Sequence, residues 1–209
     1  LSQQFKGEVK IGLAHNPKSP VDEPLNYRLF EGVHFYGLMT TPEALAFLQA
    51  HQPMPDDERL NLQPELMRAY DEVRQYFVEH PDPRCVPLLL HSFGGWNGFG
   101  MYQMVEAVFF QLDEQVVTQA LRTNLQEVTR LRPGTLYWNV AQCLAFPHPG
   151  MLPTLAQVLN HSLSDIRMMA AYALGQLEAD TVASILRQQL AVEDDADVAT
   201  TIRAVLEDL

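Results

Sequence analysis

Residues 91–102 read HSFGGWNGFGMY, a run of glycines interleaved with aromatic side chains and preceded by an adjacent His91 and Ser92. Two chemistries use such a run. Glycine-rich backbone can wrap a phosphate in N–H groups, or it can supply oxyanion donors beside a nucleophile. The phosphate reading fails on order. Gly95, Gly98 and Gly100 give GxxGxG, the reverse of the dinucleotide fingerprint, and no lysine completes a GxxxxGK[ST] loop. A dinucleotide loop also follows a β-strand, and the residues before this one, VPLLLHSF, read as a helix. Acyl transfer by Ser92 and His91 fares no better. Ser92 falls near a helix end, and the GxSxG elbow that would expose it is absent. His91 reads as a capping or solvent-facing residue.

Metal and thiol chemistry are equally unsupported. The histidines (15, 34, 51, 80, 91, 148 and 161) are scattered, and none forms HxxxH, HExxH or a partner to a Cys-x-x-Cys pair. No metal and no cofactor are therefore expected. Cys85 and Cys143 lie in apolar contexts, RCVPLLL and AQCLAF, as small core residues do. Two such thiols fit a reducing compartment. LSQQFKGEVK at the N-terminus lacks a hydrophobic signal region, and no apolar run of about 18 residues occurs, so the expected location is the cytoplasm.

Charge narrows the partner. Fourteen basic residues against 26 acidic ones give a formal charge of −12. Residues 1–83 and 84–209 each hold seven Lys/Arg and thirteen Asp/Glu, so neither half is a basic arm. Nucleic acids and anionic membranes require a basic stripe, and both are excluded as main partners. A basic protein would be attracted instead.

The elements that must position these residues follow from a repeat. Residues 1–63 read as an irregular, proline-interrupted section. In it GVHFYGLM (32–39) is a strand or buried extended segment, and one short helix starts at an N-cap Thr41 with Pro42 at N1. Leu66, Tyr70, Val73 and Phe77 then fall at helical spacing, on a helix stopped by Pro81. Beyond it, four segment pairs align: VPLLLHSF with MVEAVFFQL, VTQALRTNL with NVAQCLAFP, LPTLAQVLN with MAAYALGQL, and VASILRQQL with TIRAVLEDL. Leu89, Leu121, Leu155 and Leu186 recur at spacings of 32, 34 and 31 residues. Val105, Val140, Ala170 and Ile202 mark the second members, each followed at i+3 and i+4 by apolar residues. Each unit is a helical hairpin that buries its stripe only by stacking on its neighbours. The expected architecture is all-α, a short solenoid of about four hairpins over residues 64–209, capped by residues 1–63.

One stretch carries a family resemblance. In SDIRMMAAYALGQLEAD (164–180), Asp165, Ile166, Arg167, Ala170, Ala171, Ala173, Leu174 and Gly175 match the second helix of a HEAT-like repeat of the phycobilin lyase type. The resemblance extends in apolar register over roughly residues 84–209. It implies a HEAT-like solenoid and, as an alternative function, a lyase-like enzyme or chaperone acting on a chromophore protein. Read physically, Ser164 or Asp165 would cap that helix, the small residues would let helices approach closely, and Arg167 would reach an adjacent turn or carboxylate.

Turns within the hairpins of a solenoid share one edge, so GGWNGFG, RLRPGT, SLSD and EDDAD should form a row. Exposed aromatics serve as anchors, and carboxylates steer a basic partner. The expected binding residues are Trp96, Asn97, Phe99, Tyr102, Arg132, Asp165, Glu193, Asp194, Asp195 and Asp197. The expected function is protein binding without catalysis, in the manner of a small bacterial immunity protein that neutralises a basic toxin. An adaptor or assembly scaffold is the further alternative. The oligomeric state is left open.

Overall fold

Several helix starts in this chain are set by oxygen-bearing side chains placed just ahead of the apolar stripe. Asp56 accepts from the Arg59 N–H at 3.0 Å, Asp113 from Gln115 at 2.7 Å, and Asp195 from Asp197 at 3.0 Å and Val198 at 3.2 Å. Each contact satisfies N–H groups that a helix start leaves without an internal partner. The computed structural model describes residues 39–177 and 181–209, so most of the 32–39 segment lies outside them. Among the described residues there are eleven α-helices and no strand.

Three helices precede the repeats: α1 (Thr41–Ala50), the single turn α2 (Asp57–Leu60) and α3 (Pro64–Glu79). The cap of α1 is Thr40 and not Thr41, which moves Pro42 to the second position of the helix. Glu43 closes this start by accepting from the Thr40 N–H at 2.9 Å and the Thr40 hydroxyl at 2.6 Å. Those bonds hold its carboxyl below the usual range. On α3, Tyr70, Val73 and Phe77 are fully buried and Leu66 packs against the same core at its edge.

The hairpins follow. They pair α4 (Cys85–Ser92) with α5 (Glu106–Phe109), α6 (Glu114–Leu125) with α7 (Pro133–Ala145), α8 (Leu152–Val158) with α9 (Ser164–Gly175), and α10 (Val182–Leu190) with α11 (Ala196–Asp208). The repeat register is the burial register. Leu89, Leu121, Leu155 and Leu186 have no exposed surface, and neither do Val105, Val140, Ala170 and Ile202. Helix α7 stacks on α9, and α9 on α11. Ala170, Ala171 and Ala173 are fully buried, as small residues at close helix contacts should be. The cap of α9 differs from expectation. Leu163 occupies that position without a side-chain bond, and Ser164 and Asp165 are the first two helical residues. Asp165 still places a negative charge where the helix dipole favours one.

The first hairpin departs from the others. Its second helix, expected over MVEAVFFQL, is reduced to the 3-10 turn Gln103–Val105 and the one turn of α5, preceded by a further tight turn at Gly98–Gly100. Three successive residues at positive φ, Gly98, Phe99 and Gly100 (53°, 51° and 83°), take up the length in which other units begin their second helix. Helix α5 packs on α3, and α4 takes its place against α7 while also contacting α6 and α1. The helices before the repeats are thereby joined to them.

Leu155→Ala is expected to lower the unfolding free energy by about 2–5 kcal/mol, because it empties a fully buried repeat position. Val192→Ala, at an exposed site, should stay within about 0.5 kcal/mol. Urea unfolding followed by circular dichroism checks both.

Candidate functional site

The glycine-rich turn does hold an anion, and the anion is the chain's own. Asp57, on α2, accepts from the backbone N–H groups of Trp96 (3.1 Å), Asn97 (3.0 Å) and Gly98 (2.9 Å). Successive N–H groups converging on one carboxylate make the concavity that elsewhere takes phosphate. Here those donors are already used. Gly98 stands at φ +53° with its α-carbon against the Tyr102 ring, so no β-carbon fits there. Nothing periodic connects position 57 with positions 96–98, and Asp57 gave no signal in the sequence.

The other face of the same turn is fixed by α7. The Thr135 hydroxyl donates to the Phe93 carbonyl, Trp138 Nε1 donates to the Trp96 carbonyl at 3.1 Å, and Asn139 Nδ2 donates to the carbonyls of Leu90 and Thr135, both at 2.8 Å. Asn124 donates to Asn139 Oδ1 at 2.6 Å. Carbonyls at the end of α4, which no further turn of helix could satisfy, are thus paired inside the core. Gly134 lies flat on this join: a β-carbon there would stand 2.8 Å from the carbonyl oxygens of Gly94 and Gly95.

From this anchored end the turns run in order. The first meets the start of α7 through these contacts, and the Trp96 ring meets Tyr137 at 5.5 Å between centroids, tilted 62°. Tyr137 and Asp165 lie on stacked helices. Burial, and then the Asp165 charge, raise the Tyr137 phenol above its ordinary range. The third turn meets the fourth through Arg167. Its guanidinium donates to Glu193 at 2.7 and 3.1 Å and to the carbonyls of His161 (2.9 Å) and Ser162 (3.3 Å), so the carboxylate expected within its reach is Glu193.

These contacts sort the ten expected binding residues. Trp96 (38% exposed) and Phe99 (46%) are partly open, and Asn97, Arg132, Asp165, Asp194 and Asp197 are exposed. Arg132, Asp165, Asp194 and Asp197 have no ion-pair partner among the described residues. Three of the ten have structural work. Tyr102 is fully buried among Tyr70, Phe93 and Trp138, and its hydroxyl accepts from the Gly94 N–H at 3.0 Å. Its ring is what the positive-φ turn folds around. Glu193 has a side chain only 2% exposed, closed by Arg167, by Gln189 at 2.9 Å and by the Asp195 N–H at 3.2 Å. Asp195 caps α11. An acidic run reads alike along its length in sequence, and only the fold separates the inward Glu193 from the outward Asp194.

Residues 115–207 match the sequence model of the family described as HEAT repeats. This part of the chain is a HEAT-repeat array. No curated protein and no solved structure gives a significant match to the chain. The HEAT match begins on α6 and so covers the three regular hairpins, leaving out the distorted first one. HEAT repeats generally mediate protein–protein contacts.

The residues first weighed for other chemistry have accounts of their own. Ser92 is fully buried, donates to the Leu89 carbonyl at 2.7 Å and shares a 2.8 Å bond with the Tyr70 hydroxyl. The exposed His91 places Nδ1 2.7 Å from the Pro87 carbonyl. Cys85 and Cys143 are both buried and free, and burial pushes each thiol up to about 12. Among the described residues no cluster of three His, Cys, Asp or Glu is placed to hold a metal, and no helix is long and apolar enough to cross a membrane.

Two outcomes are expected from the ties within the edge. Asp57→Ala should cost about 1.5–3 kcal/mol and speed amide exchange at Trp96, Asn97 and Gly98, read by NMR. For Glu193, burial raises the carboxyl, but the bonds from Arg167, Gln189 and the Asp195 N–H outweigh it and leave the group below its ordinary range. A depressed carboxyl stabilises the fold above its unfolded value and loses that contribution as pH falls through the folded one. Glu193→Gln should therefore cost about 3 kcal/mol near pH 7, and its deficit against wild type in urea unfolding should shrink in acid.

Proposed function

We propose that this chain is a non-catalytic protein-binding module whose partner docks along the row of intra-hairpin turns, and that the partner is basic. The observation that supports this is the division of labour along the row. Backbone donors and the inward side chains are used internally, while Trp96 and Phe99 at one end are partly exposed, and Asp165, Asp194 and Asp197 toward the other are exposed and without an ion-pair partner among the described residues. Partly exposed aromatics on a fixed backbone are good anchors, because little freedom remains to be lost on binding. Uncompensated carboxylates on a chain of charge −12 speed encounter with a positive surface.

A small acidic module of this kind suits an immunity protein that neutralises a basic toxin. The repeat chemistry also serves an adaptor or an assembly chaperone, and genomic context separates these. A neighbouring gene for a large secreted protein with a basic C-terminal domain favours the immunity role.

Affinity capture from the native host tests the binding edge. Wild type should retain a partner that the combination Trp96→Ala, Asp194→Asn and Asp197→Asn loses. Asparagine at the exposed sites 194 and 197 leaves the Asp195 cap in place. Identical partner lists from the two proteins would sink the docking edge.

A further inference from the structure

The aromatic end of the row has a geometry that selects more narrowly than for a basic protein in general. Trp96 is held on both sides of its backbone: its N–H donates to Asp57 and its carbonyl accepts from Trp138, each at 3.1 Å. The indole is therefore presented from a fixed point, with 38% of the residue still exposed. Tyr137, on α7, meets it edge-on and is itself half-buried. On the stacked helix α9, Asp165 is exposed and lacks an ion-pair partner among the described residues. Helices α7 and α9 pack together, and the Asp165 charge adds, behind burial, to the upward shift of the Tyr137 phenol.

We propose that Trp96, Tyr137 and Asp165 form a receptor for an arginine side chain carried on an extended segment of the partner, an assignment that rests on the row being a binding edge. The guanidinium plane lies on the exposed aromatic surface, and its N–H fork engages the Asp165 carboxylate. This occupant is selected on three grounds. The ring faces carry negative potential and attract a cation. An apolar anchor would satisfy the rings but strip water from Asp165 and give its charge no partner. Between the two basic side chains, arginine is planar and weakly hydrated, so it stacks on a ring and bonds a carboxylate at the same time, whereas a lysine ammonium keeps a tight water shell.

Tryptophan emission tests this directly, since the chain has two tryptophans and the other, Trp138, is buried. The full chain is titrated with three blocked pentapeptides in which glycine alternates with arginine, with lysine, or with neutral citrulline. The arginine peptide should bind roughly three- to tenfold tighter than the lysine peptide, and the citrulline peptide should show no saturable change. Asp165→Asn and Tyr137→Leu should each weaken the arginine peptide roughly three- to tenfold. Asp165→Asn changes an exposed side chain and guards against a folding defect in the tyrosine variant. Glu65→Gln, an exposed acid on α3 outside the row, should change affinity by less than about twofold.

Equal binding of the arginine and lysine peptides, or equal loss from Glu65→Gln and Asp165→Asn, would overturn the receptor in favour of diffuse charge attraction. That result would leave a partner captured through the edge untouched. Loss of the captured partner's dependence on the edge as well would remove the docking edge along with it.

Discussion

The carboxylate of Asp57 within three backbone N–H groups is the contact on which the N-terminal part of the array depends. It joins α2, which belongs to no hairpin, to the turn where the first hairpin would otherwise run into solvent. An end repeat has no neighbour to bury its open side. Here the open side is closed by helices of different origin, with α4 moved into the ladder position that the shortened α5 does not fill. The glycine run makes this possible. Its left-handed residues wind the chain around the Tyr102 ring, and its donors then converge on one acceptor. The three bonds sit beside a second set, from Thr135, Trp138 and Asn139, that satisfies the carbonyls of Phe93, Trp96 and Leu90. The turn is thus clamped from two elements at once.

Much of the fold was legible in the sequence. A leucine recurring at 31 to 34 residues specified which face of each hairpin is inside, and that inference needs no tertiary information because each unit repeats the same packing problem. The failures are instructive in the same terms. The second helix of the first unit kept the apolar register but not the helix, since register reports burial and the positive-φ run decides the backbone path. Thr41 and Ser164 or Asp165 were each one or two residues beyond the cap: at α1 two threonines adjoin and composition does not choose between them, and at α9 the cap is the apolar Leu163, which no capping preference points to. The site was less legible. Trp96, Phe99, Asp165 and Asp194 are open, but Tyr102 and Glu193, chosen by the same criteria, point inward. Asp57 and Tyr137 were missed because their importance comes from partners 39 to 41 positions away on another element, or from a stacked helix, and neither relation leaves a local pattern.

The four turns also show how a repeat protein separates holding from offering. Two of the three junctions between adjacent units carry polar contacts: hydroxyl, indole and amide donors on carbonyls between the first two units, and an ion pair between the last two. The apolar stripes set the stacking, and these polar contacts set the register of one turn against the next. What remains outside the junctions is a sparse set of aromatic and acidic side chains on a backbone already ordered.

The two ends of that row are fastened by different kinds of force. At the first junction Gly134 rests on the carbonyl oxygens of Gly94 and Gly95, so the separation of that turn from α7 is fixed by backbone atoms in contact. At the last, Arg167 and Glu193 hold the turns together through a charge that a proton can cancel. The join of the first turn to α7 is consequently a gauge of constant dimension, while the acidic end is adjustable. A partner that first touches the constant end would find its alignment set before the variable end takes up the remaining charge.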